Sequence, residues 1–563
     1  MKQKKQNRLN LIPIIECIIL CGRQELALRG HRDSGPINVG EAEPYINEGN
    51  FRAILKYKAK DMVDFKNFLE CESRYKYTSP NIQNEVISSC GDLILDKIVK
   101  EVTVAKCFSV LVDETTDVSV KEQLTLCIRY VVGSGKDVCL SEKFLKYIEI
   151  NSFTGKDIGS TIINGLNSCG IDCNNMYGQG YDGTANMAGR FKGTQTVVRE
   201  SYPKALYVHC AAHSLNLAVS VACGIQAIRN CLGVLEKILD TKSKSLKHLC
   251  ATRWVERYIA VNDFVELFPF VVVALEHIIS EWNDTTSTDA KMLHKAMDSE
   301  FIISLQVIKL LFSYGLPLCK LLQKVDIDLK EAVDLAEASI TTLQNVCENI
   351  GEEFKKLFRE AEKMADVLDI SISMKRLNKR CINRANPDIN NPEEYYRVTI
   401  AIPYIDSFVQ QLNERFLCHK NIFKGFHSLF TGSYSDDFGE IIQFYLDTNE
   451  QTVLSELHLW RAILKKNEED PKNSLEALRL CKQELFPNIH RLLLILCTLP
   501  VSTATPERTF SCLKRLKSYQ RSTMTETRLN DLTMLAVHKE VSLTADEVIN
   551  ELAKKPRKLN FVL

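Results

Sequence analysis

One stretch, Phe108-Ser-Val-Leu-Val-Asp113-Glu-Thr-Thr-Asp117, constrains the fold of this 563-residue chain more than any other. Val110, Leu111 and Val112 form an apolar run of strand length that ends abruptly on carboxylates. A β-rich run bounded by polar turn residues predicts a buried central strand. A lone Asp at a strand end commonly does no more than start a turn by bonding its own backbone. Asp113 acquires a second meaning only if distant parts of the chain bring other acids to the same place.

The segments that follow are consistent with such a sheet. Leu124 to Val132 alternates, with Leu124, Leu126, Ile128 and Tyr130 on one face, and predicts a second strand. Gly133-Ser-Gly135 turns it into a third, from Cys139 to Ile150, and Thr154 with Asp157 predicts the capped start of a helix carrying Ile158, Ile162 and Leu166. A short strand from Met176 to Tyr181 reaches Asp182, and Ala205 to His209 predicts a fifth strand that runs into a helix at Cys210. With a late helix opening on Thr505-Pro-Glu507, this order predicts an α/β fold, an RNase H-like mixed-sheet core. From Asp263 to Glu484 the strand signal nearly vanishes, which predicts a large all-α insertion. The expected domains are residues 1–100, an N-terminal helical region and linker; 101–262, the first part of the core; 263–484, the insertion; and 485–563, a helical C-terminal region completing the core.

Composition narrows the function classes. Lys plus Arg and Asp plus Glu number 71 each, so any nucleic-acid contact must come from local basic patches. The 20 cysteines contain no Cys-x-x-Cys pair, which argues against a zinc ribbon and for reduced thiols. The basic start and apolar run from Leu11 to Leu20 imitate a signal peptide, but Glu16 interrupts it. Leu11, Ile14, Ile15, Ile18 and Ile19 instead fall at the spacing of an amphipathic helix packed on the body. No stretch reaches the roughly 20 uninterrupted apolar residues of a membrane span, so no membrane partner is expected.

Acids from separate elements are what two-metal phosphodiester chemistry needs, because Mg²⁺ or Mn²⁺ takes hard oxygen ligands. Asp113, Asp182 and Glu507 supply such a set. Glu507 also fits a plainer role, since an acid in the first turn of a helix complements its dipole.

Five motifs occur in one order: Val112-Asp113-Glu-Thr-Thr-Asp117, Gly180-Tyr-Asp182-Gly-Thr-Ala-Asn186, Cys210-Ala-Ala-His213, Thr252-Arg-Trp254 and Leu499-Pro-Val-Ser-Thr-Ala-Thr-Pro-Glu507-Arg-Thr-Phe-Ser511. Together they resemble the hAT (hobo and Activator) transposase superfamily, especially the branch containing the zinc finger MYM-type proteins and the repressor of the inhibitor of the protein kinase. The resemblance implies a DD(E) core with Asp113, Asp182 and Glu507 as catalytic, metal-binding acids. It further implies a helical insertion, a C-terminal hAT dimerisation region and a nuclear protein that handles DNA, active or domesticated. Cys210 and His213 match the family's Cys-x-x-His motif; two ligands cannot fill zinc's usual four positions, so no structural zinc is expected and a packing or DNA-positioning role is preferred. Trp254, beside Arg253, resembles the aromatic that stacks on an extruded base, and a core tryptophan is the equal alternative. Relatives usually carry an N-terminal zinc finger, and here the chain starts with the helix that normally follows such a module, a departure from the family pattern that puts site-specific DNA binding in doubt.

Lys514, Arg515, Lys517 and Arg521, close to Glu507 in sequence, are the expected phosphate contacts, with a solvated helix face as the plainer reading. The apolar stripes Phe510, Leu513, Leu516 and Leu529, Leu532, Leu535 must be buried somewhere, and the second helix, capped by Thr523 and Glu526, is the expected homodimer seam.

Overall fold

The structure, a computed structural model, describes residues 2–40, 47–71, 76–239, 254–375, 389, 391–431 and 434–554. It divides into two compact units, Met1–Val208 with Ile442–Leu563, and His209–Ile441.

The first unit is built on five strands, β1 (Phe108–Thr116), β2 (Glu122–Val132), β3 (Cys139–Ile150), β4 (Met176–Tyr181) and β5 (Leu206–His209), in the order β3-β2-β1-β4-β5. β2 is antiparallel to β1 and β3, and β4 is parallel to β1. This is the mixed-sheet α/β core that the strand pattern predicts. Helices α1 (Lys2–Arg23), α2 (Asn50–Ala59), α3 (Val63–Glu70) and α4 (Pro80–Ala105) precede the sheet. Ser79 caps α4 by accepting from the Ile82 amide, with Pro80 in the first turn where its missing N–H is harmless. Ile14, Ile15 and Ile18 of α1 are fully buried, as an amphipathic helix packed on the body requires. After β3 comes α5 (Gly155–Ser168), capped by Thr154, whose hydroxyl accepts from the Asp157 amide at 3.2 Å; α6 (Ala185–Ala188) and α7 (Thr194–Ser201) join β4 to β5.

The second unit is helical among its described residues: α8 (Ala211–Ala222), α9 (Gln226–Leu239), α10 (Trp254–Glu281), α11 (Thr285–Ala296), α12 (Ser299–Leu322), α13 (Leu329–Glu348), α14 (Ile350–Val367), α15 (Pro392–Tyr396), α16 (Ile402–Phe426) and α17 (Ser428–Thr431). The chain returns to the first unit within α18 (Asp436–Tyr445) and continues through α19 (Glu450–Lys466), α20 (Ser474–Leu480), α21 (Pro487–Thr498), α22 (Ala504–Leu516), α23 (Glu526–Val537) and α24 (Ala545–Lys554).

Four expectations change. The helical unit starts at His209 and ends at Ile441, rather than spanning 263–484, because α8 packs on α16 and α9 on α12, while α20 packs on α21, and α21 on β2. β2 alternates in sequence, yet it is buried on both faces over Gln123–Val131. The residue before α23 is Thr525, not Thr523, and its side chain makes no capping bond. Two helices, Val255–Glu281 and Ser299–Leu322, are long and apolar enough by length and composition to cross a membrane, although charges such as Asp263 and Glu300 interrupt their apolar runs. In Ser299–Leu322 most of the apolar window is buried against neighbouring helices.

Candidate active site

The register of the sheet puts two of the predicted acids side by side. β1 and β4 run parallel with Val110 beside Gln179 and Leu111 beside Gly180. Asp182 follows the last residue of β4, and that register carried two residues further brings it level with Asp113. Because alternate residues share a face, Ser109, Leu111 and Asp113 lie on the same face as Gly178 and Gly180, the strand residues that lead to Asp182. Their partners in β2 on that face are Arg129, Cys127 and Thr125.

The third acid comes from the C-terminal region, laid over this same face. A Cβ on Gly178 would stand 2.8 Å from Pro500 Cδ, and one on Gly180 2.5 Å from Pro500 Cβ. The two glycines therefore let Leu499-Pro500 rest directly on β4. From there the chain enters α22, which packs on β1, β2 and β3 and carries Glu507 in its first turn. The effect on Asp113 is large: burial first, then the Glu507 carboxylate and, more weakly, Asp182 push its carboxyl well above the usual range, against the opposing hydrogen bond from the Glu114 amide at 3.0 Å. Asp182 is oriented by Thr184, whose amide and hydroxyl both donate to its Oδ1, at 3.3 and 2.9 Å.

The anchors that hold Glu507 in place were missed in the sequence. Arg129 and Glu142 form an ion pair at 2.7 Å with side-chain exposures of 1% and 5%. Arg129 Nε also donates to the Cys497 carbonyl at the end of α21, and the Thr505 hydroxyl donates to the other oxygen of Glu142. On the far side of Glu507, the Tyr147 hydroxyl donates to the Thr509 carbonyl at 2.7 Å. The first turn of α22 is thus pinned to β2 and β3 on both sides of its acid. The available signal was weak: Arg129 is the one basic residue of β2, but Glu142 stands among other charged residues of β3, Lys143, Lys146 and Glu149.

Three carboxylates on one sheet face match the donor chemistry of a hard divalent cation. Among the described residues, however, no group of three or more His, Cys, Asp or Glu side chains is arranged to hold a metal ion. The acids share one electrostatic field without closing into a cage, so joint ligation requires their side chains to move inward.

Several expected DNA contacts turn out differently. Lys517 is 5% exposed and its ammonium lies 2.5 Å from Asp117, itself 1% exposed, so it is an internal partner and not a phosphate contact. Asp117 also accepts from the Ser119 and Lys121 amides and from Gln123. Arg515 makes a two-pronged pair with Glu25. Lys514 is exposed, and Arg521 is half-buried with Nη1 3.5 Å from the Glu25 carbonyl. Arg253 lies outside the described residues, and Trp254 opens α10 with its side chain outside them.

The Cys-x-x-His spacing is explained by local geometry. Cys210 is the residue before α8, and its Sγ accepts from the His213 amide at 3.4 Å, so the motif acts as a helix cap. Next to it, burial first and then His419, His213 and Arg415 push His209 down to about 4. The stripe expected at the dimer seam is internal: Leu529, Leu532 and Leu535 are buried in the first unit, as are Leu513 and Leu516 of the first stripe, while its Phe510 is half-buried.

Comparison with known proteins agrees with this division of labour. Residues 1–193 match the family described as ZMYM1/FAM200, RNase-like domain, and residues 453–541 match the hAT family C-terminal dimerisation region. Asp113 and Asp182 fall in the first match and Glu507 in the second. The chain is 26% identical to the 52 kDa repressor of the inhibitor of the protein kinase of Homo sapiens, over 98% of this chain and 77% of the relative. It is 25% identical to the Mus musculus protein of the same name, with the same coverage.

Proposed function

We propose that this chain, which belongs to the hAT transposase-like proteins, is a self-associating, transposase-derived nuclear protein whose Asp113, Asp182 and Glu507 form a DD(E) site for DNA phosphodiester cleavage and strand transfer. One observation carries the reading: Asp113 of β1 is held toward its protonated form by burial first, and then by the charges of Glu507 from α22 and, more weakly, Asp182 just after β4. A protein gains nothing in stability from gathering carboxylates, and such gatherings concentrate where chemistry uses them. A divalent cation bound there, Mg²⁺ or Mn²⁺, would offset the repulsion and supply the charge stabilisation and activated water that phosphodiester cleavage needs. The chain's own part is placement. Asp113 and Asp182 offer oxygens from neighbouring strands, Glu507 offers one from above, and the Arg129–Glu142–Thr505 network holds the helix that carries it.

Self-association is expected from the matched dimerisation region, at residues it leaves exposed, such as Leu459, Leu485 and Tyr519, and not at the buried Leu532 stripe. A second reading, a non-catalytic nuclear regulator that keeps the fold, is favoured by the name of the human and mouse relatives, a repressor, and by the acids standing short of a metal cage.

Cutting of labelled DNA in Mg²⁺ or Mn²⁺ by the full chain separates the two. Asp182→Asn should bring cutting down to background while leaving the melting temperature within about 1 kcal/mol of stability of the wild type, since the residue is half-buried at a strand end. Cutting that persists in chelator or in Asp182→Asn would refute the DD(E) assignment, and a folded wild type that binds DNA but never cuts it would establish the regulator instead.

A further inference from the structure

A cleft of about 710 Å³ opens in the first unit between residues 27–31, Asn47, Gly49, Asn50 and Asn84 on one wall and Gln520, Arg521, Thr523, Met524, Thr525 and Arg528 on the other. Its charged lining is one-sided. Arg29, His31, Arg521 and Arg528 line it, and no Asp or Glu is among its described lining residues.

Three guanidinium groups crowd this space, where the acceptors they reach are neutral and the Glu25 charge acts on Arg521. Arg29 reaches the Pro80 carbonyl at 3.4 Å and Asn84 Oδ1 at 3.3 Å, and Arg521 reaches the Glu25 carbonyl at 3.5 Å. The Glu25 carboxylate itself is engaged by Arg515. Nη1 of Arg528 is buried and has no hydrogen-bond partner. An unmet charged donor is expensive to keep in a folded protein, more so beside like charges. The strain registers in Arg528, pushed down to about 10 by burial first and then by Arg29 and Arg521.

The cleft is also built to stay open. Gly30 and Gly49 cross so closely that a Cβ on either would fall 2.3 to 2.4 Å from the other's backbone nitrogen, and Gly49 has φ +88. That crossing fixes one wall. On the other, Thr525 precedes α23 without a capping bond, and Glu526 in the first turn already meets the helix dipole, so the cleft's positive character comes from its arginines.

We propose that this cleft is a phosphate-binding site in which Arg29, Arg521 and Arg528 grip a phosphate group of a DNA strand or of a free polyphosphate. Guanidinium forks match phosphate oxygens two at a time, and a dianion in the cleft would screen the three cations from one another. The site shares no residue with the acid cluster, so it stands whether or not the acids cut. It is nevertheless tied to that end of the sheet, because the Ser119 hydroxyl in the turn after β1 donates to the Ser522 carbonyl at 2.8 Å.

The test is direct binding by the full chain, using sodium pyrophosphate in calorimetry at constant ionic strength and a fluorescein-labelled single DNA strand in anisotropy. Wild type should bind pyrophosphate, and Arg521→Gln with Arg528→Gln should weaken that binding at least about tenfold, the loss expected for charge-assisted hydrogen bonds. DNA affinity falling in parallel identifies the strand as the source of the phosphate; DNA affinity unchanged identifies a free polyphosphate. Without ligand the double variant should melt no lower than wild type, because it relieves like-charge crowding. If it fails to fold, Arg528→Lys, which keeps the charge and loses the fork, takes its place with the same expected direction. Wild type that binds no pyrophosphate, or affinities for both probes that ignore these substitutions, would overturn the site.

Discussion

Leu532→Asp should unfold the first unit and not merely split a dimer. Leu532 is 1% exposed, and its neighbours along the same stripe, Leu529 and Leu535, are 1% and 0% exposed. The helix that carries them packs on α4, α1, α22 and β3, so there is no apolar surface left along that stripe for a second chain. A Cβ on Gly22 of α1 would lie 2.6 Å from Leu535 Cδ1, which measures how closely α1 and α23 approach. Removing the leucine forfeits about 2 to 5 kcal/mol of packing, and the carboxylate adds the penalty of an unpaired charge in an apolar core. A typical domain is stable by only about 5 to 15 kcal/mol, so the variant should lose most of its denaturant resistance. Urea melts followed by circular dichroism measure this. A variant with unchanged stability that has become monomeric would return the interface to α23.

Lys517→Ala should be nearly as damaging, for an electrostatic reason. Lys517 and Asp117 face each other at 2.5 Å with side-chain exposures of 5% and 1%, and removal of the lysine leaves a carboxylate buried beside amides alone. Breaking a buried pair by one partner commonly loses about 3 to 5 kcal/mol. Burial alone would raise Asp117, but the Lys517 ammonium and the Ser119 and Lys121 amides together hold it below the usual carboxylate range. A depressed carboxylate stabilises the fold above its unfolded pKa and loses that contribution as pH falls through the folded value. The deficit of Lys517→Ala should therefore be full at neutral pH and shrink in acid as Asp117 takes a proton. Urea midpoints across pH test this, and a deficit independent of pH would contradict the pairing.

How much of this was legible in the sequence depended on the range of the interaction. The strands carrying Asp113 and Asp182 could be read because a buried strand writes its own local pattern and an acid at its end breaks it. Glu507 could be read only by resemblance, since nothing local says that an acid 325 positions after Asp182 lies over the same sheet face. Lys517 looked like one more surface cation on a helix; its partner is 400 residues away, and no periodicity reports such a pair. Arg129 and Glu142 were hidden for a related reason, because alternation on β2 suggests a wet second face until α21 and α22 are known to cover it. The start of the helical unit at His209 was invisible because α8 follows β5 with no linker, and the decisive contact, α8 against α16, joins segments about two hundred residues apart.

The claim that three acids share one site is tested most directly by the melting temperature of the full chain and of Asp113→Asn across pH, with and without Mn²⁺. Asp113 is raised in the folded protein, so its contribution is fully present below the unfolded carboxyl pKa of about 4 and is lost as pH rises through the higher folded value. Metal-free wild type should therefore lose stability over that interval, and Asp113→Asn should not. Mn²⁺ should restore the wild type at the upper end of the range, by binding the folded state, and should leave Asp113→Asn unmoved. Superimposable profiles for the two proteins, with the same response to Mn²⁺, would contradict a shared acid site.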